Sequence, residues 1–170
     1  MKVFVTVGSM LPFDRLVGAM DAWAAAHPEA EVFAQIGDGG GRPAHMPWAS
    51  MLTPSDFRRR CASSDVIVSH AGMGTILSAA ESGRPLLCLP RRPELKEVTS
   101  AHQIATARWL RERPGIRVID DEAGLAGAIA EALSSPGSDA ARSGADPQLI
   151  DAVRGFLLEA TQGPAPRIQR

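Results

Sequence analysis

Five short apolar runs recur along the chain, each separated from the next by residues with helical spacing. The first, Val3-Phe4-Val5-Thr6-Val7, is apolar at successive positions instead of alternating. A strand reads this way when both of its faces are covered. Gly8-Ser9 follows, and then Phe13, Leu16, Val17, Met20 and Trp23 fall on one helical stripe that closes near His27-Pro28. The other runs are Val32 to Ile36, Val66 to Val68, Leu86 to Leu89 and Ile116 to Ile119. Strands buried on both faces and joined through helices pair in parallel by crossovers, so the expected class is α/β, a mostly parallel sheet with helices on both faces. Ligands in such sheets bind at the carboxyl ends of the strands. Four loops therefore carry the functional question: those after Val7, Ile36, Val68 and Leu89.

Between the strands, the sequence from Gly37 to Leu52 reads as a loop, and Gly37 to Gly41 either as a disordered surface loop or as a flexible segment near a ligand. Thr53-Pro54-Ser55-Asp56 opens a helix with a cap, a first-turn proline and an acid at the positive end. A helix from about Thr75 to Ser82 stops at Gly83, with Pro85 beyond. The segment from Pro90 to about Val98 reads as a charged loop. Thr99 or Ser100 caps a helix carrying His102, Gln103, Ile104 and Trp109, and Asp120 caps another with Leu125, Ile129 and Leu133 inside. The expected organisation is a domain over residues 1–134, a flexible linker over 135–145, a helix over 146–160 and a frayed tail over 161–170.

Composition excludes several classes. A net charge of −1 offers no general field for nucleic acid, and a chain without Tyr makes a poor stacking platform for single strands. Cys61 and Cys88 sit in no metal-spaced cluster, so a reducing compartment fits. The opening MKVFVTVGS is too soon broken for a signal peptide, and no apolar run is long enough to span a bilayer.

The strongest local signal is His70-Ala71-Gly72-Met73-Gly74-Thr75, where a strand runs into glycines that open a helix. Glycine lets backbone N–H groups approach an anion, and the helix N-terminus adds free donors and positive partial charge. The other reading is a plain tight turn. The dinucleotide fingerprint fails because Leu77 takes its third glycine position, and no Walker sequence is present. Gly8-Ser9 is a candidate second donor loop. Arg91 or Arg92 is a candidate phosphate fork, Glu97 a candidate acceptor or orienting group, and His102 with Gln103 candidate partners for sugar hydroxyls. For any one of these charges a solvated loop competes. His70 is the one local candidate for a base, against a structural hydrogen-bonding role. Asp120-Asp121 reads as a helix cap, so neither a divalent metal nor any other cofactor is implied.

The run VSHAGMGTILSAAESGRPLLCLPRR with the later HQIATA resembles the C-terminal domain of family-28 glycosyltransferases. The opening VTVGS with PFDRLV, and the FAQIG run, are similar to the small subunit of two-component transferases, of the bacterial exopolysaccharide kind and the eukaryotic kind acting on dolichol-linked glycans. The resemblance covers about residues 1–134. It implies a Rossmann-like half of a GT-B enzyme that binds a UDP-sugar as donor substrate. A separate membrane-anchored subunit would present a lipid-linked saccharide acceptor. Carried over by position, Gly8 and Ser9 match the first donor loop, and Gly72, Met73, Gly74 and Thr75 the loop and helix holding the nucleotide and its diphosphate. His102 and Gln103 match the sugar-contacting pair. Ser78 stands where many relatives carry a ribose-binding Glu, and Ala105 where several carry an acid or amide. Arg91-Arg92 with Glu97 looks closer to the exopolysaccharide branch. Length agrees, since a complete two-domain enzyme of this kind needs roughly twice this chain. The implied place is the cytoplasmic face of the membrane, reached through the partner. The alternatives are a non-catalytic UDP-sugar- or partner-binding module, favoured by Ser78 and Ala105, and a different nucleotide-sugar enzyme such as an epimerase.

Overall fold

The computed structural model describes residues 1–97, 110–111, 113 and 115–134. The helix expected around His102 and Gln103, the linker, the C-terminal helix and the tail lie outside the described residues. Six strands form one parallel sheet: β1 (Lys2–Thr6), β2 (Glu31–Gln35), β3 (Trp48–Ala49), β4 (Val66–Ser69), β5 (Leu86–Cys88) and β6 (Ile116–Val118), in the order β3-β2-β1-β4-β5-β6. β1 is central, with Thr6 beside Gln35 of β2 and beside Ser69 of β4.

Strand periodicity sorts the side chains onto two faces. Val3, Val5, Val66, Val68 and Leu87 point to one side. There they pack against Leu16, Val17 and Met20 of α1 (Asp14–Ala26) and Leu125 and Ile129 of α4 (Leu125–Ser134). Phe4, Ile67, Leu86 and Cys88 point to the other side. They meet Cys61 of α2 (Pro54–Ser63) and Ile76 and Ala79 of α3 (Met73–Ser82). Both faces are covered, as the uninterrupted apolar runs require. Cys61 and Cys88 are buried free thiols in that second layer.

Several local readings hold. Thr53 caps α2, its hydroxyl accepting from the Asp56 N–H at 3.2 Å, with Pro54 in the first turn. Gly83 ends α3 in the left-handed region at φ 61°, and the Arg84 N–H reaches back to the Ala79 carbonyl at 3.1 Å. Other boundaries differ. α3 begins at Met73, two residues before the expected start, because Gly72 takes the extended capping position. A sixth strand, β3, lies inside the expected loop. It pairs with β2 through the Ala34 N–H to the Pro47 carbonyl at 2.9 Å and the Ile36 N–H to the Ala49 carbonyl at 3.0 Å. Two residues next to a proline leave no periodicity to detect. The glycine segment is not a disordered loop either. Its Gly41 N–H donates to Asp14 at 2.8 Å, and Asp21 accepts from the Ala44 and His45 N–H groups at 3.0 and 2.7 Å, so α1 holds it. Asp121, not Asp120, makes the cap ahead of α4, accepting from the Gly124 N–H at 3.2 Å. Asp120 pairs with Arg111 instead.

Candidate functional site

The strand order reverses direction between β1 and β4, so the connections leaving these two neighbours part to opposite faces and open a crevice at their carboxyl ends. A cleft of about 380 Å³ occupies that place. The β1 side contributes Val7 to Leu11; the β4 side contributes His70 and Gly72 to Thr75; Arg91 lies beneath. Eight of the residues singled out in the sequence thus meet in one cleft: Gly8, Ser9, His70, Gly72, Met73, Gly74, Thr75 and Arg91.

The α3 terminus presents free backbone donors to the cleft. Gly72 is the N-cap and makes no side-chain cap. The Thr75 and Ile76 N–H groups both fall back on the Gly72 carbonyl at 3.1 Å. The Met73 and Gly74 N–H groups have no acceptor among the described residues. Unpartnered first-turn donors with the helix dipole behind them suit a phosphate. Gly74 adds a second argument. A Cβ there would touch nothing within 4 Å, so no internal packing demands glycine at this residue of the cleft lining.

Gly8 and Gly72 are glycines for a different reason. A Cβ on Gly8 would stand 2.6 Å from His70 Cε1, and one on Gly72 would stand 2.1 Å from His70 Nε2. The imidazole is wedged between the two loops. Gly8 also has φ +79°. Its N–H donates to the Thr6 hydroxyl at 3.2 Å, and its carbonyl accepts from the Gln35 amide at 3.1 Å. Its backbone is therefore committed to holding the turn, which leaves the exposed Ser9 as the part of that loop open to a ligand. Gln35 carried no local signal as a site residue. It is buried at the end of β2, and its Oε1 has no hydrogen-bond partner among the described residues.

Arg91 is not a solvated loop residue. It is 2 % exposed. Its guanidinium donates to the carbonyls of Val7 at 2.9 Å, Leu11 at 2.6 Å, Pro12 at 2.6 Å and Glu97 at 3.1 Å. Four carbonyls consume the fork proposed for phosphate, so Arg91 shapes the β1–α1 loop and adds positive charge beneath it. Glu97 does not reach the cleft; it accepts from Arg15 Nε at 2.7 Å and Nη2 at 2.9 Å and from the Arg92 N–H at 2.7 Å. Against the cost of burial, these donors hold its carboxyl below the usual range. Both guanidinium groups lie over the Phe13 ring, Arg91 4.6 Å and Arg15 5.1 Å from its centre. Arg92 faces elsewhere, donating to the Asp120 carbonyl at 2.8 Å. Ser78 is half-buried one turn along α3 and does not line the cleft. His102, Gln103 and Ala105 lie outside the described residues. Among the described residues no group of three or more His, Cys, Asp or Glu is placed to hold a metal ion.

Burial, aided by the Arg91 charge, pulls the His70 imidazole down to about 4. A conjugate acid that strong makes a weak base near neutrality. The shift also couples to folding. Below the ordinary histidine value of about 6.5 the unfolded chain takes up a proton that the folded chain refuses, so stability falls with falling pH until about 4 is reached. The expected loss from about pH 7 to about pH 5 is about 2 kcal/mol. Urea unfolding of the wild type and a His70→Asn variant at the two pH values measures it. The variant loses this increment, and an equal acid sensitivity in both chains would refute the assignment.

The glycosyltransferase family 28 C-terminal domain matches residues 2–145. The chain belongs to that family. No curated protein sequence matches it. Among solved structures, the family-28 domain is similar to a glycotransferase of kitacinnamycin, at 25% identity and TM-score 0.67, over 96% of this chain and 44% of that one. It is similar to MurG of Acinetobacter baumannii at 16% identity and TM-score 0.56, over 89% of this chain and 49% of that one. It is similar to ALG13 at 18% identity and TM-score 0.58, over 89% of this chain and 94% of that one. The chain thus spans less than half the length of the first two and nearly all of the third. Its sheet corresponds to one half of the GT-B architecture.

Proposed function

We propose that this family-28 domain is the donor-binding half of an inverting, metal-independent glycosyltransferase that takes its sugar from a UDP-sugar. The observation that carries the reading is the open first turn of α3, where the Met73 and Gly74 N–H groups face a cleft at the switch point of the sheet. The donor diphosphate rests there. An acceptor hydroxyl attacks the anomeric carbon from the opposite face and forms the new C–O bond. The bond from that carbon to the diphosphate breaks, and its electron pair leaves on the β-phosphate oxygen. Developing negative charge is stabilised by the two N–H groups and the helix dipole, which are already oriented and need no rearrangement. The acceptor's proton goes to a base on the acceptor-binding half, because His70 is too weak a base to take it.

This reading includes a second, acceptor-binding half. This chain covers under half of two solved transferases, and a nucleotide-sugar pocket normally lies between two domains. In this reading a membrane-anchored subunit supplies that half and presents a lipid-linked acceptor in polysaccharide assembly at the inner face of the membrane. The likeness to ALG13, over 94% of that chain, supports a partner subunit in this reading.

Calorimetric titration with UDP, UDP-sugars, NAD and ATP, without added metal, tests the proposal. Binding selective for UDP and its sugars is the expected result. Absence of UDP binding both alone and with the membrane subunit would leave the non-catalytic module, recognising a protein partner, as the better reading.

A further inference from the structure

The turn that starts α1 lies outside the cleft but is tied to its wall. Arg15 uses all three of its guanidinium nitrogens. Nε and Nη2 grip both carboxylate oxygens of Glu97 at 2.7 and 2.9 Å, and Nη2 also donates to the Pro90 carbonyl at 2.9 Å. Nη1 donates to Glu122 at 2.9 Å, just ahead of α4. A two-point fork on a carboxylate fixes direction as well as distance. The Arg15 and Glu97 side chains are only 12% and 11% exposed, so salt screens the pair little.

The fork closes a strained loop. From Arg92 to Glu97 the chain makes one 3₁₀ turn over Pro93–Leu95 and then passes through Lys96 at φ 58°, the one non-glycine residue in the left-handed region among the described residues. A side chain is kept in that region by its surroundings. Glu97 supplies them: its N–H donates to the Arg92 carbonyl at 3.3 Å, and its carboxylate accepts from the Arg92 N–H at 2.7 Å. The two residues that Arg15 grips are also those that bracket Arg91. Pro90 precedes it in the chain, and the Glu97 carbonyl accepts from its Nη1 at 3.1 Å. The other Arg91 donors go to Val7, Leu11 and Pro12, and Val7 and Leu11 line the cleft. That stretch has little shape of its own. The Ser9, Met10 and Leu11 N–H groups have no acceptor among the described residues, and Met10 is 89% exposed. Its form therefore depends on Arg91, and the aim of Arg91 depends on the residues that Arg15 holds.

We propose that Arg15 and Glu97 are positioning residues which, acting through Arg91, hold the cleft wall of residues 7–12 in the arrangement that accepts the ligand. The ligand part rests on the donor-binding reading given above. Neither residue lines the cleft. Opening the clasp lets the wall sample other arrangements, and affinity falls with the fraction that stays competent. The first turn of α3, closed by its own bonds to the Gly72 carbonyl, is not on this path.

Arg15→Lys keeps the charge and loses the fork. Glu97→Gln keeps the shape and loses the charge. Backbone ¹H–¹⁵N spectra and ¹⁵N relaxation of the free proteins read the wall directly. In both variants the Gly8, Ser9, Met10 and Leu11 amides are expected to shift and to gain motion, while the Met73 and Gly74 amides stay as in the wild type. Unchanged wall amides would overturn the proposal. So would an equal disturbance of both loops, because general loosening produces that pattern. Calorimetry with UDP, at a temperature where urea unfolding shows each chain fully folded, supplies the ligand arm. Each variant is expected to bind UDP about tenfold more weakly, as when about a tenth of the population stays competent. Because the two residues act as one unit, the double variant is expected to bind no more weakly than the weaker single. Wild-type affinity in either folded variant, or losses that simply add, would refute the role in binding. If the wild type binds no UDP, the donor-domain reading fails, while the spectra still decide whether the clasp holds the wall.

Discussion

Gly74→Val is expected to remain folded and to lose more than about a hundredfold in UDP affinity, roughly 3 kcal/mol. The two halves of that expectation have separate causes. A Cβ at Gly74 meets nothing within 4 Å, so the larger side chain displaces no neighbour. Valine is also a slightly better helix former than glycine, which makes the change neutral or mildly stabilising. Binding fails because the isopropyl group occupies the space through which a phosphate reaches the first-turn N–H groups. Circular dichroism and urea unfolding check the fold, and calorimetry checks the affinity. Wild-type UDP affinity in a folded Gly74→Val chain would refute the placement of the diphosphate on α3. Gly74→Ala, with one small carbon, is expected to fall between the two.

Arg91→Ala is expected to cost about 3–5 kcal/mol of stability, the range for removing one member of a buried charged network. Arg91 is 2 % exposed and donates to four carbonyls, three of them from the β1–α1 segment, at Val7, Leu11 and Pro12. Removing it strands those acceptors and leaves Glu97 without one of its two neighbouring positive charges. Since whole domains are stable by only about 5–15 kcal/mol, the variant is expected to sit near the edge of folding. Arg91→Lys tests the same point more gently. A lysine has three donors and no planar fork, so it is expected to recover only part of the loss. A change below about 1 kcal/mol in Arg91→Ala would mean that the loop is held by other contacts.

The sites that were legible in the chain share one property: neighbours in sequence create them. The Gly72-Met73-Gly74-Thr75 turn is visible because a strand end, two glycines and a helix start fall within ten residues. The caps at Thr53 and Gly83 are visible for the same reason. Distance hides the rest. Arg91 meets the Val7 carbonyl across 84 positions, and Arg15 meets Glu97 across 82. Nothing local in Pro90-Arg91-Arg92-Pro93 distinguishes the arginine that turns inward from the one that turns outward. Gln35 ends an otherwise apolar strand, and its role appears only when Gly8, 27 residues away, is brought beside it. Two-residue β3 fails for another reason, since a periodicity of two cannot be recognised in two residues.

The apolar runs and the glycines that interrupt them were enough to require a parallel α/β sheet and to mark the start of α3 as the candidate anion site, because burial on both faces and backbone access are local demands. The division of labour inside the cleft came from the packing of distant segments. Folding turned Arg91 from a candidate phosphate ligand into the brace of a loop, and turned Glu97 from a candidate hydroxyl acceptor into the ion-pair partner of Arg15. It also gave the imidazole of His70 a serine on one edge and two glycines on the other. Those roles depend on which groups lie within hydrogen-bonding or packing distance, and tertiary packing sets that distance.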